Sequence, residues 1–240
     1  LLLLTDADCI PSSENWIKKM QNGFGDGIEI VLGYGAYKKA KGLLNKVIRF
    51  DTFHTALQYL SFALAGQPYM GVGRNLAYKR QVFFRQKGFA SHHHLPGGDD
   101  DLFINAVANR DNTTVVIDKD AFTYSTPKKK WSEWIAQKER HQTTGRYYHT
   151  KDRVKLGMYV ITHLLFYPAT ILAFFFLPWI WILPALAFKL IIQALVFYKA
   201  MSKLNEKDLF PYFILWDLWM ILYYLYFMSS LWKKPKTHWS

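Results

Sequence analysis

The chain has 240 residues, of which 51% are hydrophobic and 18% aromatic, and its formal net charge is +12. The single Cys9 excludes an internal disulfide framework and fits a reducing compartment. Basic residues after position 150 mostly border apolar runs, and no nucleic-acid-binding motif accompanies them, so the charge predicts contact with anionic lipid headgroups and no nucleic-acid partner.

Leu1 to Leu4 form an apolar run that predicts a buried strand, and Asp6 and Asp8 stand just after it. Because ligands gather outside the carboxyl ends of strands in open α/β sheets, this carboxylate pair can hold a hard divalent cation. The alternative is an acidic turn without a ligand. The chain begins without Met, and its first residues look like the middle of a strand. We therefore expect a fragment whose earlier strands precede Leu1.

Residues 1 to about 150 have the mixed pattern of an α/β domain. Short apolar stretches predict strands at Ile28 to Leu32 and Thr114 to Ile117. Apolar residues at helical spacing predict one long helix from Leu43 to Ala65, which packs against a core or the membrane surface.

Two further motifs lie in the middle of this domain. Gly71 and Gly73 do not make a dinucleotide fingerprint, because Leu76 stands where the third glycine is needed, and we expect them to allow close backbone approach to a ligand. Three consecutive histidines seldom point at one metal ion. His92, His93 and His94 therefore predict a polar loop beside a ligand pocket.

The segment Gly97 to Leu102 contains three consecutive carboxylates, Asp99, Asp100 and Asp101. It predicts a glycine-rich loop that enters a helix, whose dipole offsets the repulsion between the carboxylates by about 1 kcal/mol. One carboxylate can act as a proton acceptor. The alternative is an acidic helix N-cap with solvated neighbours.

A third cluster lies in the run WSEWIAQKERH, which begins at Trp131. On a helix Gln137 and Arg140 share a face, where their donors can hold phosphate oxygens, and Trp134 offers a flat surface for a sugar ring. A helix that lies on the membrane surface has the same composition, and this alternative stays open on local evidence.

Three apolar runs follow residue 150. Leu156 to Leu177 has no charged side chain, and at about 1.5 Å per residue it covers roughly the 30 Å of a hydrocarbon core. The runs at 179–198 and 209–231 contain Lys189 and Asp217, and one charge costs about 3 kcal/mol at mid-bilayer. For these two runs a buried hairpin or an interfacial helix is the alternative to a span.

Basic residues predict the topology. Those at 151, 153 and 155 precede the first run and those at 199, 203 and 207 follow the second, so both clusters and the α/β domain should be cytoplasmic. The first two runs then form a hairpin. Three full spans would place Lys233, Lys234 and Lys236 outside the cytoplasm, against the positive-inside tendency. A re-entrant or interfacial third run is therefore the alternative to a third span.

Taken in order, these segments resemble the family 2 glycosyltransferases of the GT-A fold, particularly the membrane-anchored bacterial members related to cellulose, chitin and hyaluronan synthases. Asp6-Ala7-Asp8 resembles the family's Asp-x-Asp motif, and residues 71–78 (GVGRNLAY) its Gly-x-x-Asn-x-Ala-Tyr segment. Residues 98–102 (GDDDL) resemble its Glu-Asp-x-Asp-Leu box and residues 137–141 (QKERH) its Gln-x-x-Arg-Trp box.

The resemblance implies a partial GT-A catalytic domain at 1–150 and a membrane region at 151–240. It implies an inverting, metal-assisted transfer of a hexosyl or N-acetylhexosaminyl group from a nucleotide-diphosphate sugar to a hydroxyl of a glycan or a lipid-linked acceptor. Asp8 would bind Mg²⁺ or Mn²⁺, and Asp6, Gln137 and Arg140 would lie at the donor diphosphate. The sugar and acceptor pocket would contain Gly73, Asn75, Asp101, Trp134 and His141.

The resemblance also has two departures. If the box is aligned on Asp101-Leu102, Asp99 is the base and Gly98 stands where the family has Glu. If it is aligned on the family's acidic pair, Asp100 is the base. We expect the base to be Asp99. His141 stands where processive synthases carry Trp, which favours a non-processive enzyme.

Two other interpretations are weighed against this one. The first is a haloacid-dehalogenase-type phosphotransferase with Asp6 as nucleophile, but Cys9 stands where that motif has Thr or Val. The second is a non-catalytic membrane scaffold with a decayed transferase domain, against which the retained acidic groups argue.

Overall fold

The computed structural model describes residues 1–90, 95 and 97–229. The expectations for His92 to His94 and for the lysines at 233, 234 and 236 fall outside these residues. The strands are β1 (Leu2–Leu4), β2 (Ile10–Pro11), β3 (Ile30–Leu32), β4 (Gly35–Tyr37), β5 (Leu76–Tyr78), β6 (Thr113–Val115) and β7 (Thr123–Ser125).

The helices fall into two groups along the chain. The helices of the α/β part (residues 1–149) are α1 (Trp16–Gln21), α2 (Leu43–Leu64), α3 (Arg80–Arg85), α4 (Asp101–Val107) and α5 (Trp131–Gln142). The helices of the helical part (residues 150–229) are α6 (Thr150–Phe176), α7 (Trp179–Lys203) and α8 (Phe213–Met228). Short 3₁₀ helices cover Gly73–Asn75, Lys119–Ala121, Thr144–Tyr147 and Lys207–Tyr212.

The strands form two small sheets, so the chain is confirmed as mixed α/β with a helical region behind it. The four-stranded sheet has the order β1-β5-β3-β6, with β5 antiparallel to both neighbours and β3 parallel to β6. The three predicted strands are found within one or two residues of their expected bounds. β1 is only half-buried, against our expectation, because it is the outer strand of this sheet.

The second sheet has the order β2-β7-β4. Its strand β2 follows Asp6 and Asp8 in the chain. Its strands pair Ile10 with Tyr124 and Tyr37 with Ser125. This sheet therefore brings the segment after Asp8 beside the residues that precede α5.

α2 is the central helix of the molecule, at the bounds that its apolar spacing predicts. Phe50 and Phe53 are fully buried because α2 is covered by the α/β part on one side and by the helical part on the other. Phe50 stacks on Trp216 of α8 with ring centroids 4.9 Å apart, and Phe53 meets Phe197 of α7 edge-on at 5.7 Å. Such buried aromatic pairs join the two parts into one core.

Three helical segments are long and apolar enough to cross a membrane, namely Thr150–Phe176, Trp179–Lys203 and Lys207–Met228. Most large side chains of α6 and α7 are exposed, as lipid-facing helices require. The two charges that weakened the predicted spans meet each other: Lys189 donates to Asp217, and Gln193 Nε2 donates to the same carboxylate at 2.6 Å. A paired charge inside a helix bundle costs much less than an isolated one.

The ends of the α6–α7 hairpin both lie at the α/β part. Asp152 near the start of α6 accepts from Asn105 Nδ2 at 3.0 Å. Beyond the end of α7, Glu206 forms a buried ion pair with Arg49 of α2 and accepts from the Tyr34 hydroxyl. The two ends of the hairpin, which carry the two basic clusters, therefore lie on the same side.

Candidate functional site

A cavity of about 930 Å³ lies between the two sheets, α2, α5, α6 and α8. Asp6, Asp8 and Asp100 line one region of it, and Gln137, Arg140 and His141 of α5 line the adjoining wall. The cavity then continues along α6 and α8. Segments from the beginning, the middle and the end of the chain thus meet at one cavity.

Asp6 and Asp8 follow β1 in a tight turn that Cys9 closes by donating its N–H to the Asp6 carbonyl at 3.0 Å. The turn directs the ligand atoms of Asp6, Asp8 and Cys9 to within 4.8 Å of one another. The Cys9 thiol lies 3.0 Å from the Ser125 hydroxyl. Two exposed carboxylates at this spacing fit a hard divalent cation that completes its shell with water or phosphate oxygens.

Charge is unevenly distributed around these carboxylates. Partial desolvation raises the pKa of the Asp6 carboxyl although its side chain is still exposed. The Arg74 and Arg140 guanidiniums oppose this rise, and the Asp8 and Asp99 carboxylates add to it. Such a crowded acidic group is stabilised by a cation, whether from a side chain or a metal ion. The acidic region is therefore suited to a cation-bridged anion.

Arg74 is a site residue that our sequence analysis did not identify. Its guanidinium lies 4.5 Å from the centre of the Tyr37 ring, and Nη1 donates to the Ser125 hydroxyl at 3.3 Å. A side chain at Gly35 would collide with it, since a Cβ there lies 2.9 Å from the Arg74 Cβ. The signal was present in the GVGRNLAY segment, but only the fold turns this arginine toward Asp6.

Asp100 is the N-cap of α4 and faces the cavity. Its Oδ2 accepts from the Gly73 N–H at 2.5 Å and its Oδ1 from the Asp101 N–H at 2.8 Å. Burial, with the Asp101 carboxylate beside it, raises the pKa of Asp100 to about 7, although the two N–H donors favour its ionised form. A carboxyl group of this kind can accept a proton near neutral pH.

The neighbours of Asp100 are placed differently. Asp99 is exposed and lies outside the residues that line the cavity. Asp101 lines the cavity, as expected, but it is buried, and its Oδ2 accepts from the Tyr148 and Thr144 hydroxyls at 2.6 and 2.7 Å, so it also supports the loop. Gly98 has a φ of +88°, and a Cβ there would lie 2.8 Å from Thr144, so a side chain at this position would be strained.

The residues expected on one face of α5 do share that face. Gln137 Nε2 donates to the Tyr37 hydroxyl at 3.4 Å, and Arg140 and His141 line the cavity beside it. Desolvation at the cavity wall lowers the pKa of His141 although its side chain is exposed, and the Lys138 and Arg140 cations lower it further, so its ring is neutral at pH 7. This wall offers hydrogen-bond donors and one fixed cation.

Three expected pocket residues, Gly73, Asn75 and Trp134, are not among the residues that line the cavity. Gly73 lies next to it and supplies the N–H that holds Asp100. Asn75 is fully buried, where it donates to the Tyr34 and Ala121 carbonyls at 3.0 and 2.7 Å and accepts from Trp16 Nε1, so its polar groups are occupied by the fold. Trp134 is 3% exposed and meets Phe227 of α8 edge-on with ring centroids 6.0 Å apart. The expectation that these three side chains line the pocket is therefore wrong: Asn75 and Trp134 hold elements together, and Gly73 acts through its backbone.

Comparison of the chain with protein-family models and with curated proteins finds no match to either.

Proposed function

We propose that this protein is a membrane-bound, metal-assisted inverting glycosyltransferase of the GT-A type, similar to family 2. The observation that carries the proposal is the meeting of Asp6 and Asp8, Asp100, Arg74 and Arg140 in one cavity. Paired carboxylates, a carboxyl group with a raised pKa and fixed cations are the groups that transfer from a nucleotide-diphosphate donor requires.

The donor would bind with its diphosphate at the acidic turn. Asp6 and Asp8 would hold Mg²⁺ or Mn²⁺, which supplies positive charge beside the leaving phosphate oxygens. Arg74 and Arg140 line the same cavity and donate to phosphate oxygens, and Gln137 adds a neutral donor.

Asp100 would act as the base. The acceptor O–H transfers its proton to the Asp100 carboxylate, and the acceptor oxygen forms a bond to the anomeric carbon while the bond from that carbon to the diphosphate oxygen breaks. The nucleoside diphosphate leaves with that electron pair, and Arg74 and Arg140 stabilise the charge it gains. One such displacement inverts the anomeric configuration.

We assign the base to Asp100 in place of our expectation of Asp99. Asp100 lines the cavity and Gly73 and Asp101 fix its orientation, whereas Asp99 is exposed outside it. The acidic pair Asp99-Asp100 is then the better match to the Glu-Asp of the family box.

The enzyme is proposed to be non-processive and to face the cytoplasm from the inner membrane. A neutral His141 lines the cavity where processive synthases have a stacking Trp, and Trp134 is buried away from it. Basic residues lie at the two ends of the α6–α7 hairpin that contact the α/β part, and the preference of such residues for the cytoplasmic side supports this orientation.

The test uses the full-length protein in membranes, a panel of nucleotide sugars, and Mg²⁺ or Mn²⁺. We expect Asp100→Asn to lower the rate of nucleotide release about a hundredfold or more, and Asp8→Ala to abolish its dependence on the metal ion. Asp26→Asn, which alters an exposed carboxylate outside the cavity, should retain the wild-type rate.

Contrary outcomes are equally specific. Wild-type transfer by both Asp8→Ala and Asp100→Asn contradicts the mechanism, and loss in Asp99→Asn with activity retained in Asp100→Asn moves the base by one residue. A folded protein that turns over no donor supports the non-catalytic scaffold.

A further inference from the structure

One face of α6 extends the cavity from the carboxylates toward the lipid-facing surface. The cavity-lining residues of this face recur at helical spacing: Thr150, Arg153, Val154, Gly157, Val160 and Ile161. At about 1.5 Å per residue they cover roughly 16 Å along the helix. Their character changes along the way from polar and cationic to small and then apolar.

α8 forms the opposite wall. Met220, Tyr223, Tyr224 and Met228 line the cavity from this helix. Ile161 on α6 and Met228 on α8 line the cavity and are also 56% and 49% exposed, so the cavity opens between apolar side chains of two membrane-associated helices. A wholly water-soluble ligand gains nothing from such an opening, whereas a hydrocarbon chain is stabilised there.

Arg153 lies in the first turn of α6, before the apolar end of the cavity. Its side chain is exposed and lines the cavity, and among the ion pairs of the described residues none involves it. A guanidinium in this position, one to two helical turns before Gly157 and Val160, matches a phosphate at the headgroup level of a lipid.

We propose that the acceptor is a membrane lipid with a phosphate-linked, hydroxyl-bearing headgroup, which enters sideways between α6 and α8. Its chain would lie along Val160 and Ile161, its phosphate at Arg153, and its hydroxyl at Asp100. This inference rests on the proposed transferase function and names the acceptor class for the same site. The bond that forms is then the one already described, with the lipid headgroup oxygen as the nucleophile.

Binding is tested without catalysis by photolabelling of the full-length protein in phosphatidylcholine vesicles. The probe is a polyprenyl phosphate with a diazirine in its chain, and the uncharged polyprenol with the same diazirine is its control. We expect the phosphate probe to label the peptide that contains Val160 and Ile161, with about tenfold less labelling by the polyprenol.

Matched variants locate the site. Arg153→Gln should lower labelling by the phosphate probe about tenfold, whereas Lys151→Gln, an exposed neighbour outside the cavity, should not change it. Val160→Trp fills the apolar end and should also lower labelling, while Ile171→Trp on the exposed surface of α6 should not. Labelling that is absent from this peptide, or equal in Arg153→Gln and Val160→Trp, overturns the proposal.

Transfer is tested separately with a radiolabelled nucleotide sugar that the enzyme hydrolyses. We expect the label in the organic phase with a total membrane lipid extract, and Val160→Trp to lower this product about tenfold without changing hydrolysis of the donor. Label only on water-soluble glycans, unaffected by Val160→Trp, overturns the lipid acceptor but leaves the transferase function intact. Absence of any donor turnover contradicts the transferase function, and the photolabelling result still decides the lipid site.

Discussion

At the residue scale, Asp100 combines a restrained geometry with an unusual protonation behaviour. Two backbone N–H groups hold its carboxylate, while burial and the adjacent Asp101 raise its pKa to about 7. Asp101 also lines the cavity, but it accepts from the Leu102 N–H and from the Tyr148 and Thr144 hydroxyls. No side-chain donor among the described residues engages Asp100 in this way, which leaves its carboxyl group as the proposed proton acceptor.

This difference predicts the pH dependence of the reaction. A base must be ionised, so kcat/KM should increase as the pH rises through about 7 and level off above it. The pH profile of initial rates at low donor concentration measures this directly. In Asp100→Asn the rate should be low and independent of pH across the same range, and a variant with an unchanged inflection would place the ionisation on another group.

At the element scale, α8 belongs to a segment that is long and apolar enough to cross a membrane, but both of its ends contact the α/β part. Its 16 residues cover about 24 Å, and Trp216 near its start stacks on Phe50 while Phe227 near its end meets Trp134. Both partners belong to the α/β part. A helix that stands upright in the bilayer carries its two ends to opposite sides, so these contacts predict that both ends of α8 lie on the side of the α/β part, although Asp217 reaches Lys189 in the middle of α7.

The orientation of α8 can be measured with single cysteines in a Cys9→Ser background. Lys207 and Ser229 are exposed at the two ends of the segment, so we expect Lys207→Cys and Ser229→Cys to react with a membrane-impermeant maleimide from the same side of sealed vesicles. Val154→Cys at the start of α6 provides the reference for that side. Reaction of Ser229→Cys only from the opposite side shows that α8 crosses.

At the scale of the whole molecule, a buried ion pair joins the α/β part to the helical part. Arg49 of α2 and Glu206 after α7 are each 2% exposed, and Arg49 also donates to Asp208 at 2.6 Å. Burial raises the pKa of Glu206 to about 7 in spite of the arginine. Removal of one partner therefore leaves an uncompensated buried group at the junction.

We expect Arg49→Met to destabilise the protein by about 3 to 5 kcal/mol, seen as a lower thermal midpoint of the full-length protein in detergent. The double variant Arg49→Met with Glu206→Gln should recover much of this loss, because no charge is then buried alone. Arg85→Met, which breaks an exposed pair with Glu29, serves as the control and should cost about 1 kcal/mol or less. Equal effects of Arg49→Met and Arg85→Met would show that the junction is not held by this pair.

The sequence by itself determined the mixed α/β class, the positions of β1, β3 and β6, the bounds of α2 and the three membrane-competent segments. These features are set by local periodicity and by runs of apolar residues, which any stretch of chain carries independently of its neighbours. Helical spacing likewise placed Gln137 and Arg140 on one face.

Only the tertiary structure decided which side chains meet. It turned Asp100 into the cavity and left Asp99 outside, because successive residues at a helix start point about 100° apart. It also brought Arg74 to the acidic turn, used Asn75 and Trp134 in packing, and paired Lys189 with Asp217. Periodicity states which face of an element is apolar or charged, but the partner of that face comes from another part of the chain.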